Sequence, residues 1–481
     1  MGSDIDNRLN MTEELYKRIW QLSPNIQQQD VFTELTHITK ELVHIYALQG
    51  RLDQNPFEPS ISRTLSLPFS QINQLVNNGV CLVTGGLGCV GTVLVNELLR
   101  FDVKQVVVLD IATAKPNYFS DSRVHCVVCD IKNGEEVLQS FAQYKPQFVF
   151  HTAAQRSPGY AERHAVHTFQ TNVTGTLNVA NACEQTSSVQ QCVFSSTGKA
   201  SRYFTNEVYA QTKKICEYIF DVYARTGRVL YSMTRFTHII DNSLMNDELE
   251  ADSRLSNYIA IHSPGKYVTA QNAKEAALLM LNCLVYSQKN QSNFLIVKNL
   301  EWPVESLEVA LYYIQLSKRD IPVIFKGNPP GYIEKFFRGQ LDWSQPNDLN
   351  LLINVYEYKQ KRVNSESDII VSHICPVERE TLMDAITTMK TIEDERELKQ
   401  ALTISLITLV KESLLHTDKQ DTVNILNWGL QKKYLLIEKM TVKDYGLTVP
   451  LLADSLQGTE WSHQIEHLLT ENKTAETSFT H

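Results

Sequence analysis

The chain lacks the features of several protein classes. Its 481 residues include only 19 Gly and 15 Pro, and 21% are charged, which excludes a collagen-like or a disordered chain. It contains no run of about 18 apolar residues, the length that a membrane-spanning helix needs. The polar residues from Met1 to Arg8 also predict no signal peptide. We therefore expect a cytoplasmic protein that has no membrane span.

The chain also lacks an excess of basic residues. Its 45 Lys and Arg face 54 Asp and Glu, which gives a formal net charge of −9. The sequence contains no run of basic residues, so we expect no general binding to nucleic acid or to an anionic membrane.

Cysteine use argues against a disulfide framework. The nine cysteines are odd in number, and many lie in apolar runs, which favours reduced thiols. Cys126 and Cys129 form a C-x-x-C inside a strand-like run, where alternation points the two thiols to opposite faces. This favours packing in the core over a redox or metal-binding role for the two thiols, and we predict no metal site.

The length and the apolar content predict more than one domain. Apolar residues make up 43% of the chain, and single cores seldom grow much past about 250 residues. We predict a helical N-terminal extension at 1–75, a Rossmann domain at 76–240, a smaller substrate-binding domain with segments that return to the sheet at 241–345, and a helical C-terminal domain at 365–481. In the last of these, apolar residues form a helical stripe that consists of Leu398, Leu402, Leu406, Leu409 and Val410.

Short β-rich runs alternate with helical stretches after Gly79. The runs are Cys81 to Val83, Gln105 to Leu109, Val124 to Cys129, Phe148 to Thr152, Cys192 to Ser195 and Leu230 to Arg235. Continuous apolar strands that alternate with helices indicate a parallel sheet with both faces covered. The fold class is therefore α/β, a Rossmann-type doubly wound parallel sheet.

A glycine-rich segment follows the first of these runs and opens a helix. Gly86, Gly88 and Gly91 match the G-x-G-x-x-G spacing that allows a tight turn, close approach of backbone N–H groups to a pyrophosphate, and close helix packing. The segment predicted to bind the dinucleotide consists of Thr84, Gly85, Gly86, Leu87, Gly88, Cys89, Val90 and Gly91.

Asp110 ends the next strand-like run, where a carboxylate can accept hydrogen bonds from the adenosine ribose. It repels a 2′-phosphate, and the residues that follow from Ile111 contain no Arg, so NAD is favoured. Lys115, a cation near this position, leaves NADP as the alternative cofactor. Asp130, followed by Ile131, ends the third run and could reach the adenine; its alternative is a helix cap or turn residue.

A second group of polar residues suits hydride chemistry. Tyr209 and Lys213 share one helical face because they are four residues apart. The lysine ammonium can lower the pKa of the phenol, which then exchanges a proton with a hydroxyl or a carbonyl of the substrate. Ser196 or Thr197, at the end of the fifth strand-like run, would hold the substrate oxygen, and Lys199 could polarise it.

These motifs together resemble the extended short-chain dehydrogenases, and most closely their polysaccharide-biosynthesis branch of nucleotide-sugar 4,6-dehydratases and epimerases. The resemblance covers roughly residues 78 to 340. It rests on the order and spacing of five segments, which are Thr84 to Gly91, His151 to Ala154, Thr171 to Thr176, Ser195 to Ala200, and Tyr209 to Lys213.

The resemblance implies a homodimeric enzyme that holds NAD(P) tightly and oxidises a substrate hydroxyl. It implies that Tyr209 is the acid or base, that Lys213 binds the ribose, and that Asn172 supports the strand facing the cofactor. The further residues predicted to contact the cofactor are Thr152, Ala153, Ala154 and Ser195.

The chain departs from the family at several positions. Gly198 precedes Lys199 where the 4,6-dehydratases have an Asp that helps to expel water, and glycine cannot transfer a proton. For Lys199 the alternative is a surface lysine. Pro329 stands in place of an Arg that contacts the diphosphate, and proline cannot replace its bidentate hydrogen bonds.

Three residues are predicted to contact the substrate. His238 replaces an Asn that contacts the diphosphate and could act as an acid or donor, although a structural histidine is the alternative. Arg156, next to Gln155, follows the fourth strand, where it could meet an anionic substrate or form a surface salt bridge.

The primary hypothesis is an NAD(P)-dependent oxidoreductase that interconverts an alcohol and a carbonyl in a biosynthetic pathway. Its small-molecule substrate could be nucleotide-linked or carried by a protein. One alternative is a nucleotide-sugar 4,6-dehydratase or epimerase. The other is a non-catalytic NAD-binding scaffold, although the intact pair of Tyr209 and Lys213 argues against it.

Overall fold

The computed structural model describes residues 2–242 and 246–476. Short apolar runs with many Val, Ile and Phe residues form most of the strands. The strands are β1 (Val80–Thr84), β2 (Gln105–Asp110), β3 (Val124–Val128), β4 (Phe148–His151), β5 (Gln191–Thr197), β6 (Leu230–Phe236), β7 (His238–Ile239), β8 (Ile259–Ile261), β9 (Tyr267–Val268), β10 (Ala270–Gln271), β11 (Asn293–Val297), β12 (Val304–Glu305), β13 (Val323–Phe325), β14 (Arg362–Val363) and β15 (Ile369–His373).

Helices separate these strands and form both ends of the described chain. The helices are α1 (Gly2–Leu22), α2 (Gln29–Leu48), α3 (Glu58–Ser62), α4 (Phe69–Val76), α5 (Cys89–Leu98), α6 (Gly134–Tyr144), α7 (Pro158–Arg163), α8 (Ala165–Phe169), α9 (Gly175–Gln185), α10 (Val208–Thr226), α11 (Asn246–Leu255), α12 (Ala273–Tyr286), α13 (Ser306–Ser317), α14 (Val355–Lys359), α15 (Arg379–Lys390), α16 (Glu395–Leu415), α17 (Lys419–Gly429), α18 (Lys432–Glu438), α19 (Thr448–Asp454) and α20 (Ser462–Glu476).

The main sheet has nine strands in the order β14-β15-β11-β6-β5-β4-β1-β2-β3. The strands from β3 to β11 in this order are parallel, whereas β15 runs antiparallel to both of its neighbours. Crossover connections between parallel strands need intervening helices, which cover the sheet. This confirms the predicted doubly wound sheet, and each of the six predicted strands is correct to within two residues.

The chain forms two compact units, each built from three segments. The first unit contains residues 1–64, 237–276 and 300–329, and the second contains 65–236, 277–299 and 330–481. In the first unit, Leu35 and Leu42 of α2 share a core with Leu307 of α13 and Val323 of β13, and all four side chains are fully buried. The N-terminal helices thus share a core with later segments. The predicted division into four segments stays a prediction.

The second unit contains the main sheet and the C-terminal helices. The predicted apolar stripe from Leu398 to Val410 is confirmed, since all five of its side chains are buried. The two cysteines of the C-x-x-C differ: Cys129 is buried, but Cys126 is exposed on β3. Core packing was therefore a wrong prediction for Cys126, because β3 is an edge strand.

Among residues 2–242 and 246–476, no helix has the length and apolar character that a membrane crossing requires.

Candidate active site

The glycine-rich turn joins β1 to α5, and all eight predicted residues from Thr84 to Gly91 lie in it or beside it. Gly88 is the N-cap of α5, so the first N–H groups of the helix have no intrahelical acceptor. A Cβ atom at position 91 would overlap the carbonyl oxygen of Gly85, so only glycine fits there. The result is a close backbone cradle at a helix N-terminus, which fits a pyrophosphate.

Asp110 is held at the edge of this cradle. Its Oδ2 accepts a hydrogen bond from the Leu87 N–H (3.0 Å), and its Oδ1 accepts one from the Ala112 N–H (3.0 Å). The side chain of Ile111, the next residue, is exposed. The carboxylate thus lies beside the turn, where the sequence predicts contact with the ribose.

The predicted adenine contacts have local structural partners. Asp130 Oδ1 accepts a hydrogen bond from the Lys132 N–H (3.0 Å), which is the turn role given as its alternative. Ile131 is buried, and a Cβ atom on Gly175 would overlap its side chain. Ile131 thus packs against the start of α9.

A buried polar network lies where β4 ends. Thr84 Oγ1 is 2.7 Å from His151 Nδ1, and His151 Nε2 is 3.0 Å from Thr176 Oγ1. Burial and the charge of Lys213 together lower the pKa of His151 to about 3. His151 is therefore neutral at physiological pH and serves as a hydrogen-bonding link between β1 and α9. Its role was not predicted.

The loop after β4 carries the predicted residues Thr152, Ala153 and Ala154, all half-buried. Thr152 Oγ1 donates to the Thr84 carbonyl (2.6 Å). The Asn172 side chain holds the same loop, since it accepts from the Gln155 N–H (2.8 Å) and donates to the Gln155 carbonyl (3.1 Å). Asn172 lies in a π-helical turn, Gln170–Thr174, a distortion that often occurs at functional sites.

Thr197, Tyr209 and Lys213 come together at the end of β5. Tyr209 and Thr197 share a side-chain hydrogen bond, which opposes the rise that burial causes in the pKa of Tyr209, to about 12. Lys213 Nζ donates to the Ser195 carbonyl (2.9 Å) and lies 4.6 Å from the centre of the Phe194 ring. Burial lowers the pKa of Lys213 to about 8. One face of α10 thus places a phenol and an amine against β5.

Ser196 points away from this group. Its Oγ donates to Glu217 Oε1 (2.6 Å), and Glu217 Oε2 pairs with Arg235 NH2 (2.8 Å). Arg235 is fully buried and also pairs with Glu357 (2.7 Å). Of the two hydroxyls that the sequence left open, Ser196 belongs to this buried charge network, and only Thr197 contacts Tyr209.

Lys199 is partly buried and forms an ion pair with Glu207, which immediately precedes α10. Its Nζ also donates to the Gly331 carbonyl (2.9 Å) and lies 5.1 Å from the centre of the Tyr332 ring. The alternative of a surface lysine is therefore wrong. The ammonium holds the segment around Gly331 against the end of β5.

The three predicted substrate residues are not all in one unit. Arg156 is exposed after β4, and its positive charge lowers the pKa of Tyr209, which places it near the phenol. Gln155 Oε1 accepts from the Ser157 N–H (2.5 Å). His238 belongs to the first unit, where β7 pairs with β10 and burial lowers the pKa of His238 to about 4.

Three residues that were not predicted also shape the site. Leu352 fills the space beside Gly198, because a Cβ atom there would overlap Leu352 Cδ2. Tyr332 and Glu207 contact Lys199. Only Glu207 carried a signal, as an acid directly before a predicted helix. Leu352 and Tyr332 lie more than 120 residues beyond β5. Leu352 is in a segment without a motif, and Tyr332 is in the run from Pro329 that departs from the family pattern.

Comparison with known proteins agrees with the motifs. Residues 81–243 match a family described as "Polysaccharide biosynthesis protein". The capsular polysaccharide biosynthesis protein CapD of Staphylococcus aureus is 22% identical over 329 residues, which cover 64% of this chain and 53% of CapD. A UDP-glucose 4-epimerase of Mycoplasma pneumoniae is 30% identical over 118 residues, 24% of this chain and 35% of that protein.

A solved structure shares the fold. The X-ray structure of Pen from Bacillus thuringiensis matches with a TM-score of 0.52 and 18% identity over 62% of this chain and 88% of that chain. The present chain spans about half of the length of CapD. The predicted resemblance to the polysaccharide-biosynthesis branch of the extended short-chain dehydrogenases is confirmed.

Proposed function

We propose that this chain, which carries the polysaccharide-biosynthesis type of extended short-chain dehydrogenase domain, is an NAD-dependent enzyme of the nucleotide-sugar epimerase type. It would oxidise a hydroxyl of its substrate and return the hydride to the same substrate. The observation that carries this proposal is the arrangement of Thr197, Tyr209 and Lys213 at the end of β5.

The residues of the first β-α-β segment fit NAD. The N-terminus of α5 follows the close turn that Gly85 and Gly91 form, so its first N–H groups could bind a pyrophosphate. Asp110 lies beside Leu87, where it could accept hydrogen bonds from a ribose. A carboxylate at this position disfavours a 2′-phosphate, so NAD is favoured over NADP. Bound NAD would supply the hydride acceptor.

Tyr209 would exchange the proton of the reacting hydroxyl. Its phenol is half-buried, and burial keeps it protonated, with a pKa of about 12. The positive charge of Arg156 lowers the pKa of Tyr209 and would favour the phenolate that accepts this proton. Thr197 would hold the oxygen of the substrate with its hydroxyl while the proton moves.

An epimerase reaction suits this pocket better than an elimination. A dehydratase needs an acid to expel water, and the position of that acid in the family is Gly198 here. Leu352 occupies the adjacent space, so an acidic side chain at position 198 would overlap it. The main hypothesis from the sequence was the interconversion of an alcohol and a carbonyl. This interconversion is then one half of the epimerase reaction cycle.

The proposal is tested with Tyr209→Phe. General acid–base catalysis contributes about 10²–10⁴-fold, so we expect turnover of UDP-sugars to fall by about that factor while NAD binding is unchanged. The matched control is Tyr218→Phe on the same helix, because the Tyr218 hydroxyl bonds with Ser413. Equal turnover by Tyr209→Phe and the native protein would refute the proposal and favour the scaffold alternative.

The fate of the hydride distinguishes an epimerase from a simple oxidoreductase. With a substrate deuterated at the reacting carbon, we expect the product to retain the label, as mass spectrometry would show. Loss of the label to added NAD would instead support a net oxidation.

A further inference from the structure

A cavity of about 400 Å³ lies in the second unit, and Glu207, the ion-pair partner of Lys199, lines it. Four parts of the chain line it: Glu162 of α7, the residues around Arg202, the segment that begins at Pro330, and the residues around Asp444. This volume lies in the range of pockets for small molecules. None of the residues assigned to NAD or to proton transfer above lines the cavity.

Glu207 connects the cavity to the candidate active site. Its carboxylate pairs with Lys199 and lies 3.3 Å from Arg202 NH1. Arg202 also pairs with Glu334, which accepts a hydrogen bond from Thr205 Oγ1 (2.6 Å). These ion pairs are partly buried, so they fix the position of the carboxylates in the cavity wall.

Most charges of the wall are already paired. Glu162 pairs with Lys399, Glu207 pairs with Lys199, and Arg202 pairs with Glu207 and Glu334. The acidic side chains of the wall are Glu162, Glu207, Glu334 and Asp444, and the basic ones are Arg202, Lys335 and Lys443. A phosphate would gain little from charges that are already neutralised.

The rest of the wall combines aromatic rings with amides. Phe336 is exposed and supplies an apolar ring face, whereas Phe204 and Phe337 are buried, and Asn206 supplies an exposed amide. Tyr445 also lines the cavity; its side chain is buried, and its hydroxyl lacks a hydrogen-bond partner among the described residues. A buried polar group without a partner is uncommon, and a ligand can account for it.

We infer that this cavity binds an uncharged saccharide. Carboxylates accept hydrogen bonds from sugar hydroxyls, and amides both accept and donate them. Aromatic faces pack against the C–H groups of the sugar ring. The C-terminal helical part of the chain thus completes a carbohydrate site next to the Lys199–Glu207 pair. This inference does not rest on the proposed redox function.

The test uses the full chain and three named probes: methyl β-D-glucopyranoside, methyl β-D-galactopyranoside and N-acetylglucosamine. Saturation-transfer NMR would detect binding and titration would give the Kd. We expect at least one probe to bind, with a Kd raised at least tenfold by Phe336→Ala and by Glu334→Gln. Phe336→Trp, which keeps an aromatic face, should retain binding.

A matched control separates the site from the fold. Phe69→Ala removes a ring that is as exposed as Phe336, 40% against 41%, but lies outside the cavity, so it should leave the Kd unchanged. All variants should bind NAD as the native protein does. Failure of all three sugars to bind, unchanged binding in both cavity variants, or tighter binding of inorganic pyrophosphate than of any sugar would each overturn the inference.

Discussion

Ser196 and Thr197 are neighbours in β5, but their side chains have different partners. The Ser196 hydroxyl donates to Glu217 and the Thr197 hydroxyl bonds with Tyr209, and both partners lie on α10. The sequence left these two residues as alternatives because it does not show which residue of the helix each hydroxyl meets. The contact with Tyr209 resolves the choice in favour of Thr197.

Substitution of these hydroxyls should have different effects. We expect Thr197→Ala to lower kcat by about 10²-fold, the loss typical for one hydrogen-bond donor at a reacting oxygen, with an unchanged Tm. Ser196→Ala should instead lower the free energy of unfolding by about 1–3 kcal/mol, since it leaves a buried acceptor on Glu217 with one bond fewer. Steady-state kinetics and thermal unfolding would measure both; the reverse pattern would contradict the assignment.

The buried amine of Lys213 predicts a pH dependence of stability. Burial lowers its pKa to about 8 in the folded state, below the ordinary value of about 10.4 for the unfolded chain. Between these two values the unfolded chain binds more protons, so folding gains stability as pH rises. We expect the native protein to gain stability relative to Lys213→Met from about pH 8 to pH 10.

Chemical denaturation at several pH values measures this difference. The control is Lys411→Met, which replaces a lysine whose side chain is about half exposed, and which should show no comparable trend. A pH-independent difference between the native protein and Lys213→Met would contradict the account of the buried amine.

At the scale of elements, the turn after β5 is shaped by a distant segment. Gly198 leaves space that Leu352 fills, although 153 residues lie between them. The sequence identifies Gly198 as a departure from the dehydratase pattern, but it does not reveal what replaces the missing side chain, because Leu352 lies in no motif.

A double-mutant cycle tests this packing. We expect Gly198→Ala to destabilise the protein by about 1–3 kcal/mol, since an added methyl group in a packed site causes overpacking. In the background of Leu352→Ala the same change should cost much less, because the space is then free. Additive effects in urea denaturation would show that the two residues do not share this space.

The elements of the sheet were predictable, whereas the connections around the site were not. Apolar runs such as Val80–Thr84 fill both faces of a parallel strand, so they are visible in the sequence. The contacts Lys199–Gly331 and Arg235–Glu357 depend on which distant segments pack together. No local periodicity encodes such long-range contacts.

At the scale of the whole molecule, the C-terminal helices cover α10. Gln211 Nε2 donates to Thr403 Oγ1 of α16 (3.3 Å), and Arg379 NH1 of α15 donates to Thr226 Oγ1 (3.1 Å). Contacts thus extend from the first turn of α10 to its last residue. The homodimer that the resemblance implies stays a prediction, but the covered parts of α10 would not be available to a second copy.

We therefore expect any self-association to leave α10 unaffected. Hydrogen exchange should show equal protection of the α10 amides across a concentration series in which light scattering follows the oligomeric state. Protection of α10 that rises together with dimer formation would contradict this expectation.

The central claim is that Tyr209 enables redox chemistry on a sugar hydroxyl. Its most direct test is rapid mixing of the NAD-loaded protein with a panel of UDP-sugars, with detection of the near-ultraviolet absorbance of reduced nicotinamide. The account predicts a transient signal in the native protein that is lost in Tyr209→Phe at equal NAD occupancy. A protein that binds no NAD, or a Tyr209→Phe variant with the native transient, would contradict it.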